Sequence, residues 1–199
     1  EAETAAMEAW RLKVRNLGRE NPIALDAARN LADVYGEQGR FEEAVTLYRN
    51  VLEEQRRQLA PTHLDLLHTT NNLAVVLGLL QQDLGEAETL ARESIAGFER
   101  IFGRETQMTL NARDTLALVL RGQGRHDDAI DEYESILEVT ERRGLQDSLE
   151  INATVGIARC MIDMERYEDA EQRLAAAVAI AAPEGDEDPL RAWGIAHTY

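Results

Sequence analysis

The sequence predicts an all-α fold, a solenoid of antiparallel helix pairs in one elongated domain. Two alanines return four times along the chain, one in each helix of a two-helix pattern, at spacings of 41 to 43 residues. The apolar side chains around them follow the period of about 3.6 residues that is typical of helices. Because each two-helix unit can bury its apolar face only against its neighbours, such a repeat predicts a solenoid. The first alanines are Ala32, Ala74, Ala117 and Ala158, and the second are Ala44, Ala87, Ala129 and Ala170.

Four complete repeats follow one another, with part of a repeat at each end. In the first complete repeat we predict a helix from Ile23 that closes at Gly36 and Gly39, since glycine tolerates the left-handed backbone of a helix end. The second repeat has one extra residue between its alanines, which we place in the turn around Gln81 to Gly85. The predicted segments are a truncated second helix at 1–20, repeats at 21–62, 63–105, 106–147 and 148–189, and the start of a first helix at 190–199.

The terminal segments carry apolar residues, among them Trp10, Trp193 and Ile195. Terminal repeats of a free-standing solenoid usually have a polar outer face. We therefore expect either a fragment of a longer array or a chain whose ends pack on a partner.

The charge and composition narrow the class of function. The chain has 37 acidic and 21 basic residues, for a net charge of −16, which disfavours nucleic-acid binding because phosphate contacts need a basic surface. No apolar run is long enough for a membrane helix, and the N-terminus lacks a signal-peptide pattern, so we expect a cytoplasmic protein. Cys160 is the only cysteine, and its apolar surroundings predict a buried, inert thiol. Only Lys13 among the basic residues other than histidine is a lysine, which hints at a GC-rich bacterial genome.

The residues around the alanines resemble the tetratricopeptide repeat signature. Small residues lie where two helices touch, and an aromatic residue fills each gap, since a larger side chain at the contact would overpack it. The period near 42 residues is similar to that of kinesin light chains, a variety also found in bacterial regulatory proteins. The resemblance covers essentially the whole chain and implies a right-handed superhelical array that serves as a non-catalytic scaffold or sensor. The matching motifs are Leu31-Ala32-x-x-Tyr35, Gly39-Arg40-Phe41-Glu42-Glu43-Ala44 and Gly124-Arg125-His126-Asp127-Asp128-Ala129.

The resemblance also implies a ligand groove lined by the first helix of each repeat. Its positions lie six and two residues before the first alanine and one and five residues after it, on one helical face. We expect a protein or peptide ligand there, because asparagine amides both donate to and accept from a peptide backbone. The same asparagines could instead bond within the helix pair. The candidates at these positions are Asp26, Asn30, Asp33, Glu37, His68, Asn72, Val75, Leu79, Asn111, Thr115, Leu118, Gly122, Asn152, Gly156, Arg159 and Asp163, and Arg29, three residues before its alanine, is a further candidate.

The predicted groove grades from acidic in the first repeat to apolar in the second and third. That pattern suits a ligand with a basic segment and an apolar anchor. Arg29 and Arg159 instead suit an acidic group, since a guanidinium holds a carboxylate well, or they pair with acids of this chain. Both alternatives stay open.

No catalytic, cofactor or metal-binding pattern is recognisable. His63 and His68 are five residues apart, do not share a helical face and have no cysteine beside them, and no phosphate-binding loop is present. We therefore expect no enzyme activity, cofactor or metal site. Two alternatives to the binding scaffold are a self-association module that uses the uncapped terminal helices or the convex face, and an accessory domain of an enzyme whose catalytic part lies outside this segment.

Overall fold

A computed structural model describes residues 2–144 and 148–181. The predicted partial repeat at 190–199, with Trp193 and Ile195, lies outside these residues. The chain divides into two compact units, Glu1–Arg104 and Glu105–Tyr199, here called unit 1 and unit 2. The prediction of one elongated array over the whole chain stays a prediction.

Unit 1 is built from helices that pack in chain order. Each helix packs against the next, and α2 also packs against α4. Short connections force consecutive helices to run antiparallel. The helices are α1 (Ala2–Leu17), α2 (Pro22–Glu37), α3 (Phe41–Gln58), α4 (Leu64–Leu80) and α5 (Leu84–Phe102).

Unit 2 repeats this arrangement. Its described helices also pack in consecutive pairs, and α6 packs against α8 as α2 does against α4. The predicted all-α fold of antiparallel helix pairs is therefore confirmed. The helices are α6 (Gln107–Gly122), α7 (His126–Arg143), α8 (Ser148–Asp163) and α9 (Tyr167–Ala181).

The recurring alanines lie where helices touch. All eight are at most 2% exposed. A methyl side chain at these points lets two helix backbones approach closely, whereas a larger one would force them apart. The alanine register identified in the sequence is thus the packing register of the fold.

Two glycines allow even closer contacts. A Cβ added to Gly97 in α5 would lie 2.3 Å from a terminal carbon of Leu67, which is itself buried. A Cβ added to Gly156 in α8 would lie 2.3 Å from Cζ of the buried Tyr133 ring. Both glycines therefore take part in packing between helices.

Hydrogen bonds and a glycine define the two ends of the first complete helix pair. The Asn21 side chain accepts a hydrogen bond of 3.0 Å from the Ile23 amide and so caps α2. Gly39 lies in the α2–α3 turn with a φ of +73°, as predicted, whereas Gly36 is still part of α2. At the other end of the pair, the side-chain amide of Gln58 donates to the backbone carbonyl of Glu20 at 2.9 Å. These contacts hold the ends of α2 and α3.

The extra residue of the second repeat lies in the helix, so its placement in the turn was wrong. The turn between α4 and α5 has three residues, Gln81 to Asp83, the same number as the turn between α2 and α3. Helix α4 instead continues one residue further past Ala74, to Leu80. Without a glycine there, Gln81 and Asp83 both adopt left-handed backbone angles, with φ of 52° and 48°.

Candidate functional site

In unit 1 the predicted groove residues of α2 and α4 lie on neighbouring helices and form what we call the α2–α4 face. Helix geometry explains their grouping, since residues three, four and seven apart share one side of a helix. Asn30, Glu37 and Leu79 are exposed, and the other members are half-buried. The face consists of Asp26, Arg29, Asn30, Asp33, Glu37, His68, Asn72, Val75 and Leu79.

A hydrogen-bond network at Asp33 joins α2, α3 and α4. The Asn72 amide donates to Asp33 Oδ1 at 2.9 Å, and the Tyr48 hydroxyl donates to the same oxygen at 2.5 Å. Burial, and then the charge of Asp33, raises the pKa of Tyr48 well above its ordinary value. The hydroxyl therefore stays protonated and keeps donating. Asn72 thus bonds within the fold, which is the alternative that the sequence left open.

Arg29 is held between two carboxylates of its own helix. Its Nη2 lies 2.6 Å from Asp26 Oδ1, and its Nη1 lies 3.5 Å from Asp33 Oδ2. The side chain is 21% exposed. Since Asp26 and Asp33 are compensated by this guanidinium, the acidic character expected at this end of the face is weaker than the sequence suggests. Glu37, by contrast, is exposed and forms no ion pair with the described residues.

His68 is a half-buried neutral ring on this face. Its centroid lies 5.4 Å from that of Phe98 on α5, with the planes tilted by 57°. Burial, and then the positive charge of Arg29, lowers the pKa of His68 below its ordinary value. The imidazole therefore offers a ligand a hydrogen-bonding ring without a charge at neutral pH.

We expect the two asparagines of this face to differ in their effect on stability. Asn72→Leu removes a half-buried amide donor from Asp33 and should lower the free energy of unfolding by about 1–2 kcal/mol. Asn30→Leu changes an exposed side chain and should alter it by less than about 0.5 kcal/mol. Urea denaturation of both variants measures this difference. Equal losses would show that the Asp33 network does not stabilise the fold.

In unit 2 the corresponding residues of α6 and α8 form the α6–α8 face, but two predicted members are buried. Thr115 is 3% exposed, and its hydroxyl donates to the Asn111 carbonyl at 3.1 Å. Gly156 lies beneath the Tyr133 ring. In this structure Thr115 and Gly156 therefore offer a ligand no accessible side chain, although Asn30 at the same register position is exposed.

The remaining members of the α6–α8 face are accessible. Asn111, Asn152, Arg159 and Asp163 are exposed, and Leu118 is half-buried. Arg159 forms no ion pair or hydrogen bond within the described part of the chain, in contrast to Arg29 of unit 1. Its side chain is exposed, and its charge acts on Asp114.

Sequence reasoning missed Asp114 and Arg121 beside this face. Burial raises the pKa of Asp114 to about 6, although the positive charge of Arg159 lowers it. Arg121 Nε lies 3.6 Å from Asp163 Oδ2 and so joins α6 to α8. The register could have identified Asp114, because it stands three residues before its alanine, as Arg29 does in the first repeat.

The part of the chain that the structure describes was also searched for metal sites, a reactive thiol and membrane-spanning helices. There, no group of three or more histidine, cysteine or acidic residues is placed to hold a metal ion. Cys160 is buried as predicted, and burial raises the pKa of its thiol to about 11. None of the described helices is both long and apolar enough to cross a membrane.

Solved structures share the fold. A putative kinesin light chain with nearly identical TPR-like repeats from Podosopora anserina is 20% identical, with a TM-score of 0.71 over 89% of this chain and 84% of that chain. BtubC (BKLC) from P. vanneervenii is 19% identical, with a TM-score of 0.72 over 94% and 77%. A Rap protein complexed with competence and sporulation factor is 14% identical, with a TM-score of 0.68 over 100% and 58%. At these identities the likeness shows the fold alone.

Comparison of the sequence with family models identifies the repeats. One model described as tetratricopeptide repeat matches residues 23–100 and again 69–142, and a second matches residues 120–187. No curated protein matches the chain. Since these models cover more than half of its residues, the chain belongs to the tetratricopeptide repeat family, with repeats like those of kinesin light chains.

Proposed function

We propose that this chain is a non-catalytic protein- or peptide-binding array that serves as a scaffold or sensor in a larger bacterial regulatory protein of the cytoplasm. The tetratricopeptide fold is consistent with a protein-interaction scaffold. Its ligands would bind the α2–α4 face and the α6–α8 face. The Rap protein of similar fold is complexed with competence and sporulation factor, which supports a binding function for this chain as well.

The observation that carries this proposal is the fixed polar network beside exposed apolar surface on the α2–α4 face. Arg29 and Asn72 both contact Asp33, so the three side chains lose little freedom when a ligand binds. Leu79, 43% exposed on the same face, offers an apolar anchor point. Asn30 is exposed and has no hydrogen-bond partner among the described side chains, so its amide is free to bond to a peptide backbone.

Selection of random peptides of about 12 residues on the intact 199-residue chain tests this proposal. We expect peptides with an apolar residue near basic residues, since Glu37 and Leu79 lie on the same face, each five residues after the alanine of its repeat. Leu79→Arg should weaken their binding by about tenfold or more, because it removes the anchor point and adds a repelling charge. Fluorescence anisotropy of labelled peptides measures the dissociation constants.

Leu12→Arg is the matched control. Leu12 is a leucine of similar exposure, 50%, but it lies on α1, outside the α2–α4 face. Its substitution should leave peptide binding unchanged. If every selected peptide bound the Leu79→Arg variant as tightly as the unchanged chain, the α2–α4 face would not be a ligand site.

A further inference from the structure

A second concave surface lies between α1 and α3, with α2 as its floor. We call it the α1–α3 cleft. Its apolar lining includes Trp10 from α1, Leu25 from α2, and Leu47 and Val51 from α3. The cleft has a volume of about 320 Å³, within the range of ligand sites. It shares no residue with the α2–α4 face, so a ligand here would be separate from one bound in the predicted groove.

The α1–α3 cleft differs from the equivalent cleft between α3 and α5. In the latter, Arg49 pairs with Asp83 at 2.7 Å and Arg56 pairs with Glu93 at 2.7 Å, so charged side chains tie the two helices together. The corresponding residues of α1, 42 positions earlier, are Met7 and Val14. These apolar residues cannot form such ion pairs. The middle of the α1–α3 cleft is therefore apolar, although Arg40 Nη1, at the N-cap of α3, lies 2.6 Å from Glu3 Oε1 of α1. The α3–α5 cleft is no less open, with a volume of about 370 Å³, but it is lined mostly by charged side chains.

Trp10 gives this cleft its binding chemistry. The side chain is half-buried against a cluster of Leu25, Ala28 and Val51, and it also lines the cleft. Its indole N–H has no hydrogen-bond partner within residues 2–144 and 148–181. Tryptophan held by packing on one side and accessible on the other is a frequent centre of protein interfaces, because it offers a large rigid surface at little entropic cost.

The polar rim of the cleft is acidic. Glu20 and Glu53 line it together with Glu54, against one cation, Arg19. Glu53 and Glu54 each lie 2.6 Å from Arg57 on the same helix. The pair of Arg57 with Glu53 is exposed and therefore weak, whereas Glu54 is half-buried. The Glu20 carboxylate forms no ion pair with a described residue. The whole chain carries a net charge of −16, which also favours a basic partner.

We propose that the α1–α3 cleft binds a segment of a partner protein in which a large apolar side chain is flanked by arginine or lysine. The apolar side chain packs on Trp10 and Leu47, and the basic residues pair with Glu20 and Glu53. Asn50, exposed at the edge of the cleft, offers its amide to the backbone of the bound segment.

Random peptides selected on the intact chain, as above, are the probe for this site. Two variants block it without touching its buried floor. The double variant Glu20→Lys and Glu53→Lys reverses the rim charge, and Asn50→Trp fills the cleft. Each variant should weaken the binding of the basic peptides that occupy the cleft by about tenfold or more. The double variant Glu138→Lys and Glu141→Lys, which makes the same change of charge at exposed positions of α7, should not.

Different variants test the proposal for the α1–α3 cleft and the proposal for the α2–α4 face, so one can be wrong while the other is right. A class of basic peptides that loses binding in both cleft variants, and keeps it in Leu79→Arg, supports the cleft. If all selected peptides bound the cleft variants as tightly as the unchanged chain, or if the peptides that lost binding were not basic, the cleft proposal would be wrong. A selection that yielded no peptides, or only peptides lost in Leu79→Arg, would also overturn it.

Discussion

Gly156→Ala is expected to destabilise unit 2 by about 1–3 kcal/mol, against the ordinary effect of such a change. Replacing a glycine inside a helix by alanine normally stabilises the helix by up to about 1 kcal/mol. At Gly156, however, the new Cβ would lie 2.3 Å from Cζ of Tyr133 and 2.6 Å from two further ring carbons. The ring is rigid and only 4% exposed, so moving it would disturb the close packing around it.

Urea denaturation of the intact chain measures this effect. Gly36→Ala is the matched control, because Gly36 is also helical and its nearest neighbour to an added Cβ is Val76 Cγ2 at 4.0 Å. That variant should be neutral or more stable by up to about 1 kcal/mol. If Gly156→Ala were as stable as Gly36→Ala, the contact between α7 and α8 would not be close-packed at this point.

The fold could be predicted from the sequence because small residues recur at a nearly constant spacing, at the points where the helices touch. Ala32 and Ala44 lie at contacts that only a small side chain allows, and the same constraint recurs in each repeat. The extra residue near Gln81 was misplaced for a related reason. Sequence spacing counts residues between two alanines, but it does not show whether a helix or a turn takes up the extra one.

The candidate site was predicted less well, because its limits depend on neighbouring helices. Thr115 occupies the same register position as Asn30, yet the first is buried and the second exposed. Periodicity gives the direction of a side chain around its own helix, but not what covers the edge of that face. Asn72 shows the same limit, since its partner Asp33 is 39 residues away in the sequence and on another helix.

Asp114→Asn is expected to stabilise the chain by about 1–3 kcal/mol above pH 7 and to have little effect below pH 4. Burial raises the pKa of Asp114 to about 6, from an ordinary value of 3.8. The folded state therefore holds this proton more tightly than the unfolded state does. Its contribution to stability is complete below pH 3.8 and is lost as the pH rises towards 6. An amide cannot ionise, so the variant escapes that loss.

Urea denaturation of both proteins at pH 4 to 8 isolates this group, because all other carboxyls titrate equally in the two and cancel in the difference. Asp131→Asn, an exposed change on α7, should give a difference near zero throughout.

A second substitution tests the origin of the shift. Arg159 is the cation that lowers the pKa of Asp114, so Arg159→Gln should raise that pKa further and destabilise the chain at pH 8. The same substitution should have little effect at pH 4, where Asp114 is protonated, or in the Asp114→Asn background, where no carboxylate is present. A loss of stability that was equal at both pH values would show that Arg159 acts through packing. The electrostatic coupling of Asp114 on α6 to Arg159 on α8 would then be absent. This conclusion would hold whether or not Asp114→Asn stabilised the chain.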